Sequence, residues 1–272
     1  MGDLSDFDRT TFTYDGKTRD VFRRGTGPGV VVIAEMPGIT PHVLDFANRV
    51  VDIGCTVALP HLFGEPGRDP LAHGVPRAIP YLLSSMVPAC IARDFTVLAT
   101  GETSPVIEWL RALARDLHEE CGGPGVGAVG MCFTGGFALA MMADAPVLAP
   151  VLSQPSLPFP IGAKRKADLG LSDADLAKVK VKCAKEDLHV LGLRFTADPL
   201  VKPERFQRLR DELGDRFVGV EIDSSKGNPY GNPKNAHSVL TEHLVDEPGH
   251  PTRDALDKVL DLFREKLLIS RK

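Results

Sequence analysis

The sequence lacks the features that mark membrane-spanning, metal-knuckle and nucleic-acid-binding proteins. No run of about 18 apolar residues is present, so we expect no transmembrane helix. The five cysteines include no C-x-x-C pair, which argues against a zinc knuckle or a thioredoxin-like redox site. The 32 lysines and arginines do not outnumber the 36 aspartates and glutamates, so no basic excess favours nucleic acid as a partner.

The first ten residues are polar and acidic, and they lack the apolar core of a secretory signal peptide. The cysteine number is odd and no two cysteines are close in sequence, which indicates reduced thiols rather than a disulfide framework. We therefore expect a cytoplasmic protein that binds no membrane, no nucleic acid, no metal and no cofactor.

Glycine and proline, by contrast, are frequent, with 26 glycines and 22 prolines in the chain. Many of them fall in residues 60–101, 130–136 and 226–233. A turn-rich stretch as long as 60–101 inside a compact domain is usually functional or disordered. Its leucine, isoleucine, methionine and tyrosine content argues against disorder. We expect residues 60–101 to form an ordered wall or lid that selects a ligand.

Strand-like and helix-like segments alternate from residue 29 onward. Continuous β-branched runs predict strands buried on both faces, which is typical of a parallel sheet. The Asp15-Gly16 pair between two β-rich runs predicts a hairpin over residues 10–23. The predicted strands cover residues 29–35, 55–60, 125–130, 147–153, 187–198 and 216–222, and the main predicted helices cover residues 41–54, 105–117, 133–144, 202–213 and 252–268. We predict a single α/β domain over residues 1–272, with a mostly parallel, doubly wound sheet flanked by helices.

The most specific motif is Gly130-Met131-Cys132-Phe133-Thr134-Gly135-Gly136, between a predicted strand and a predicted helix. We interpret it as a nucleophile elbow, G-x-nucleophile-x-G, with cysteine in place of serine. The sharp turn exposes the side chain, and the helix N-terminus favours a thiolate and an oxyanion. The backbone amide of Phe133 is then one oxyanion donor. The alternative is a buried structural cysteine on a glycine-rich turn.

A cysteine nucleophile needs a base and an orienting acid. In folds that carry a nucleophile elbow, the acid follows the nucleophile along the chain and the base follows the acid. Asp198 follows a predicted strand and fits the acid, with Asp187 and Asp223 as weaker alternatives. His237 lies on a turn-rich loop before the last helix and fits the base. His243 and His250 compete with it on the same loop.

Four segments together resemble the dienelactone hydrolase family of α/β-hydrolases: VVIAEMPGI (31–39), GMCFTGG (130–136), RFTADPLV (194–201) and NAHSVL (235–240). The resemblance spans roughly residues 28 to 268 and implies an α/β-hydrolase fold. It implies a triad of Cys132, Asp198 and His237, a glutamate, Glu35, that accompanies the thiol, and the Met36 amide as second oxyanion donor.

The resemblance also implies hydrolysis of a small-molecule ester or lactone through an acyl-enzyme. The family holds a substrate carboxylate with arginines, one of them a turn beyond the catalytic histidine, where this chain has Thr241. Arg93 is the nearest candidate for the other arginine, with Arg68 and Arg77 as alternatives. An acyltransferase or thioesterase with the same triad and a catalytically silent ligand-binding homologue are the competing hypotheses.

Overall fold

The structure is a computed structural model that describes residues 2–70, 72, 80–82, 84–85, 94–95, 101–157 and 162–269. The strands are β1 (Asp8–Tyr14), β2 (Lys17–Arg24), β3 (Gly29–Ile33), β4 (Thr56–Pro60), β5 (Val126–Met131), β6 (Val147–Ser153), β7 (Val190–Phe195) and β8 (Phe217–Ile222). They form one sheet in the order β1-β2-β4-β3-β5-β6-β7-β8. All neighbours from β4 to β8 are parallel, whereas β2 is antiparallel to both β1 and β4.

Seven α-helices that are described over their whole length flank this sheet, and residues 80–82 and 84–85 are helical as well. The seven helices are α1 (Pro41–Asp52), α2 (Val106–Cys121), α3 (Gly135–Met141), α4 (Ala163–Lys166), α5 (Asp173–Glu186), α6 (Pro203–Leu213) and α7 (Pro251–Phe263). Shorter turns are the 3-10 helices Leu4–Asp6, Cys132–Thr134 and Gly214–Arg216 and a π-helical turn at Arg264–Leu268. None of the described helices is long and apolar enough to cross a membrane.

The two faces of the sheet are both covered by helices, and β3 shows how the sequence encodes this. Val31 and Ile33 pack into a core with α2, α3, α5 and α6, while Val30 and Val32 pack into a second core with α1 and α7. Side chains of a strand alternate between faces, so an unbroken apolar run fills both cores. Each such fully buried side chain contributes about 1.5–3 kcal/mol to stability.

The mostly parallel, doubly wound sheet and the hairpin are confirmed. In the hairpin turn Asp15 and Gly16 both have positive φ, at 49° and 71°, as a tight two-residue turn requires. The strand predicted at 187–198 begins only at Val190, because Asp187 adopts a left-handed conformation and ends α5. The helix predicted at 133–144 is shorter, because Cys132–Thr134 forms a 3-10 turn first.

Candidate active site

The loop between β5 and α3 presents Cys132 at the carboxyl edge of the sheet, where ligands bind in this class of fold. Cys132 has a φ of +54°, a left-handed conformation that costs a non-glycine residue roughly 1–2 kcal/mol. A Cβ on Gly130 would lie 2.1 Å from the Thr134 carbonyl oxygen, so glycine is required there. The backbone is therefore strained and tightly turned at Cys132.

The elbow departs from the strict spacing in one place, because Thr134 stands where G-x-nucleophile-x-G has its second glycine. Thr134 keeps an ordinary helical backbone, with φ −85°. Its fully buried hydroxyl accepts a hydrogen bond from the Met131 amide at 3.0 Å and lies 3.0 Å from the Ile33 carbonyl oxygen. The Thr134 side chain thus joins the elbow to the end of β3. The glycine that allows a close backbone approach is the next residue, Gly135.

The loop after β6 contacts the thiol. Ser156 Oγ lies 3.2 Å from Cys132 Sγ, and the Ser156 amide donates to the Cys132 carbonyl oxygen at 2.9 Å. A Cβ on Gly135 would lie 2.4 Å from Pro155 Cα, so only glycine lets this loop approach the start of α3 so closely. Sequence reasoning missed Ser156, because nothing in its spacing from Cys132 signals the contact.

The loops after β7 and β8 bring Asp198 and His237 together. His237 Nδ1 donates to Asp198 Oδ2 at 2.7 Å, and Asp198 Oδ1 accepts from the Leu200 amide at 2.8 Å. The Asp198 side chain is fully buried. This hydrogen bond fixes the imidazole tautomer that leaves Nε2 without a proton in the neutral ring. Within the described residues, His237 Nε2 is buried and has no hydrogen-bond partner.

The surroundings of His237 favour its charged form. Burial alone lowers the pKa of His237, but the Cys132 sulfur and the hydrogen bond to Asp198 outweigh it and raise the pKa to about 11. The Cys132 sulfur and the His237 imidazole therefore interact electrostatically, as a nucleophile and its base must.

The competing acids and bases have other partners. Asp187 is an exposed ion-pair partner of Arg216, and Asp223 accepts from the Ser225 amide on a surface loop. His243 Nδ1 accepts from the Ser238 amide at 3.3 Å, and burial lowers the pKa of His243. His250 caps α7 through Thr252. None of these four side chains approaches the elbow through a hydrogen bond found in the structure.

Glu35 follows β3 and is 6% exposed, and its carboxylate accepts hydrogen bonds from three side chains. Gln154 Nε2 and Ser238 Oγ donate to Oε2 at 3.1 and 2.6 Å, and Thr241 Oγ1 donates to Oε1. Among the described residues no hydrogen bond joins Glu35 to Cys132, so the expectation that Glu35 accompanies the thiol stays a prediction. Ser238 and Thr241 lie on the loop that carries His237, so their hydrogen bonds to Glu35 hold that loop at the end of β3.

The Glu35 network also includes a residue that sequence reasoning missed. Gln154 adopts a left-handed conformation, with φ +35°, and its Oε1 accepts from the Val239 amide at 3.1 Å. The backbone amide of Gln154 donates to the Leu193 carbonyl oxygen at 2.7 Å. A glutamine next to Pro155 at the end of a buried strand is the only sequence signal, and it is a weak one.

Replacing Glu35 by alanine should lower the free energy of unfolding by about 2–4 kcal/mol, because three buried donors would lose their acceptor. Urea unfolding followed by circular dichroism measures this. Glu242→Ala is the control: Glu242 contacts His42 at the surface, and its loss should change stability by less than about 0.5 kcal/mol. Equal stability of Glu35→Ala and wild type would contradict the network described here.

Phe133 and Met36, the two predicted oxyanion donors, follow neighbouring strands. Phe133 is the residue after Cys132 in the 3-10 turn Cys132–Thr134, and Met36 follows Glu35 on the loop after β3. β3 and β5 are adjacent, with Ile33 opposite Gly130, so both segments meet at the same edge of the sheet. No group of three or more histidine, cysteine, aspartate or glutamate side chains able to hold a metal ion occurs in the described part.

Parts of the segment 60–101 lie against the elbow. The ring centroids of Phe63 and Phe95 are 6.4 and 5.7 Å from that of Phe133, so aromatic side chains form one wall beside Cys132. Arg68 pairs with Glu65 and lies over the Tyr81 ring. Arg93 and Arg77 lie outside the described residues, as does much of the segment. The lid therefore stays a prediction.

A buried arginine was also missed. Arg205 on α6 is 4% exposed; its Nη1 donates to the Pro155 carbonyl oxygen at 2.5 Å and its Nη2 donates to the Arg165 carbonyl oxygen at 3.4 Å. Burial lowers the pKa of Arg205 to about 10, and the charges of Asp168 and Cys132 act in the opposite direction. Arg205 therefore remains charged at neutral pH and holds the loop that carries Ser156.

A family model described as the dienelactone hydrolase family matches residues 20–267. A search of curated proteins gives no significant match. Among solved structures the chain is similar to P91, a dienelactone hydrolase-like promiscuous phosphotriesterase from metagenomic libraries, with 18% identity, a TM-score of 0.62, and 96% of this chain and 98% of that chain covered. It is also similar to a cold-adapted esterase from an Arctic intertidal metagenomic library, with 15% identity, a TM-score of 0.56, and 95% of this chain and 93% of that chain covered. At these identities the likeness establishes an α/β-hydrolase fold.

Proposed function

The chain belongs to the dienelactone hydrolase family, and on that premise we propose that it hydrolyses a small-molecule ester or lactone through Cys132, His237 and Asp198. The observation that carries the proposal is the arrangement at the sheet edge. A cysteine held in a strained left-handed turn faces a loop whose histidine is hydrogen-bonded to a buried aspartate. Nucleophile, base and orienting acid then stand in the chain order that this fold uses.

In the first half-reaction the Cys132 sulfur attacks the ester carbonyl carbon, and a carbon–sulfur bond forms as the carbonyl π pair moves to oxygen. His237 accepts the thiol proton at Nε2, while Asp198 holds the imidazole through Nδ1. The amides of Phe133 and Met36 stabilise the oxyanion. When the tetrahedral intermediate collapses, the carbon–oxygen bond breaks and His237 returns its proton to the leaving alkoxide.

The second half-reaction releases the acid. His237 takes a proton from water, and the resulting hydroxide adds to the thioester carbonyl. Collapse expels the Cys132 sulfur and restores the pair of thiol and imidazole. A lactone follows the same path, except that its leaving alkoxide stays attached to the acyl chain. The aromatic side chains of Phe63, Phe95 and Phe133 favour an apolar part of the substrate next to the reacting carbonyl.

An acyl-enzyme on Cys132 is the expected intermediate. Mixing the protein with p-nitrophenyl esters should release p-nitrophenol and add the mass of the acyl group to the intact protein. Peptide mapping should place the adduct on Cys132. Rapid acid quenching and mass spectrometry measure both quantities, because thioesters survive at low pH.

The same experiment separates the competing hypotheses. Product that appears only when an alcohol, amine or thiol acceptor is added indicates an acyltransferase, and preference for acyl thioesters indicates a thioesterase. Ligand binding with neither turnover nor adduct across esters and lactones indicates a silent homologue and would contradict the proposal.

A further inference from the structure

Among the described residues, the hydroxyl of Ser156 lies within hydrogen-bond distance of the Cys132 thiol. The 3.2 Å between Oγ and Sγ is within hydrogen-bond range for sulfur, and either atom can be the donor. Ser156 is 6% exposed, so bulk water does not compete freely for its hydroxyl. This contact is not part of the triad proposed above, and neither the elbow motif nor the family resemblance places a side chain from this loop on the sulfur.

The position of Ser156 is held from three sides. Its amide donates to the Cys132 carbonyl oxygen, which fixes its backbone to the elbow. Arg205 holds the carbonyl oxygen of the preceding Pro155 at 2.5 Å. Gln154 is anchored to the end of β7 through the Leu193 carbonyl oxygen. The backbone of residues 154–156 is therefore held by hydrogen bonds at each residue, and this holds Ser156 Oγ next to Cys132 Sγ.

A hydroxyl at this point differs chemically from a carboxylate. A carboxylate accepts hydrogen bonds only, so it holds a neutral thiol but repels the thiolate. A hydroxyl accepts from the thiol and, after rotating about its C–O bond, donates to the thiolate. The carboxylate of Glu35 is turned toward Gln154, Ser238 and Thr241, and the hydroxyl occupies the place beside the sulfur.

The charged groups around the sulfur come from several elements. The imidazole of His237 faces it from the loop after β8, with Asp198 behind that ring. Arg205 contributes a positive charge from α6. Glu35 contributes a negative charge at the end of β3, compensated by its three donors. The hydroxyl of Ser156 is the one neutral side chain that the described residues place in hydrogen-bond contact with this sulfur.

We propose that Ser156 is a catalytic residue that accepts a hydrogen bond from the neutral Cys132 thiol and donates one to the thiolate once His237 Nε2 has taken the proton. The step rests on the proposed function, in which the same thiolate attacks the ester. No covalent bond to Ser156 forms or breaks; the proton passes from Sγ to Nε2, and the Ser156 hydroxyl reverses its direction. Ser156 thereby keeps the attacking sulfur ionised and oriented.

The test measures the rate at which iodoacetamide alkylates Cys132 as a function of pH, with peptide mass spectrometry to separate Cys132 from the other four cysteines. In Ser156→Ala the midpoint of the profile should rise by about one pH unit, which is roughly a tenfold loss of the reactive form at a pH below both midpoints. Ser225→Ala, on an exposed loop, is the control and should leave the profile unchanged.

Ser156→Thr and Ser156→Val form a matched pair of equal shape, of which only threonine carries the hydroxyl. The threonine variant should keep a midpoint near wild type and the valine variant should show the raised one. A slower rate at every pH with an unchanged midpoint, or equal midpoints for threonine and valine, would overturn the proposal. Alkylation needs no turnover, so failure of ester hydrolysis in the wild type is a separate result that bears on the proposed function alone.

Discussion

Replacing Cys132 by alanine should reduce kcat/KM for a p-nitrophenyl ester by a factor of about 10⁴ or more. In triad enzymes the nucleophile and base act as a unit, so removal of the nucleophile leaves only the residual catalysis from binding and the oxyanion donors. Alanine is compatible with the buried surroundings of the elbow and removes only the sulfur. Steady-state release of p-nitrophenol measures the effect, and thermal unfolding verifies that the variant is folded.

Cys121→Ala is the matched control. Cys121 ends α2 just before β5 begins, whereas the elbow follows the end of β5, and Cys121 is also a free, partly exposed cysteine. Its loss should leave kcat/KM within about twofold of wild type. Turnover by Cys132→Ala at the wild-type rate would remove Cys132 from the reaction and with it the proposed mechanism.

Cys132→Ser keeps the size of the nucleophilic side chain and changes its acidity. Serine fits the same left-handed turn, but a hydroxyl ionises far less readily than a thiol, so its attack depends wholly on His237 as base. We expect its activity to fall between those of wild type and Cys132→Ala. Steady-state release of p-nitrophenol by the three proteins measures this ordering.

The fold was predictable because local signals agree with one another along the chain. The unbroken run of β3 fills two cores, the Asp15-Gly16 turn closes the hairpin, and proline begins α1, α6 and α7. Each of these signals acts within a few residues, so it can be recognised without knowledge of the tertiary contacts. Element ends were less accurate, since residues such as Asp187 end a helix through a backbone conformation that the sequence pattern does not reveal.

The site was predictable only where chain order carries information. The order of elbow, acid and base led to Asp198 and His237, and the structure places these two side chains 2.7 Å apart. Ser156 and Arg205 were missed because their contacts join loops from different parts of the sheet. No periodicity or spacing encodes such contacts, and a serine after a proline resembles any other loop residue.

The partners of Glu35 show the same limit in a different form. Its position at the end of a buried strand predicts a residue near the ligand, but whether a carboxylate turns toward the thiol or toward Ser238 depends on which donors the neighbouring loops offer. In this chain Thr241, one turn beyond His237, donates a hydrogen bond to Glu35. The direction of this carboxylate therefore depends on a hydroxyl from a distant part of the chain, which no local pattern around Glu35 reveals.

Replacing Asp198 by asparagine should lower kcat by a factor of about 10⁴ while leaving the fold intact. The carboxylate accepts the Nδ1 proton of His237, and an amide of the same shape can stabilise the wrong tautomer and cannot balance an imidazolium charge. Asp198 also raises the pKa of His237, so in the variant this pKa falls. Activity that depends on the protonated imidazole is lost as pH rises through that pKa, so the alkaline limb of the pH–rate profile should move to lower pH.

Asp223→Asn is the matched control, since Asp223 follows the neighbouring strand β8, was an alternative candidate from the sequence, and contacts the Ser225 amide at the surface. It should keep both kcat and the pH profile of the wild type. Full activity in Asp198→Asn, or a loss of activity with an unmoved alkaline limb, would mean that Asp198 supports the loop without acting on His237. Loss of an orienting carboxylate should give both a lower kcat and a shifted alkaline limb. The carboxylate both stabilises the charge of the imidazolium and fixes the orientation of the ring.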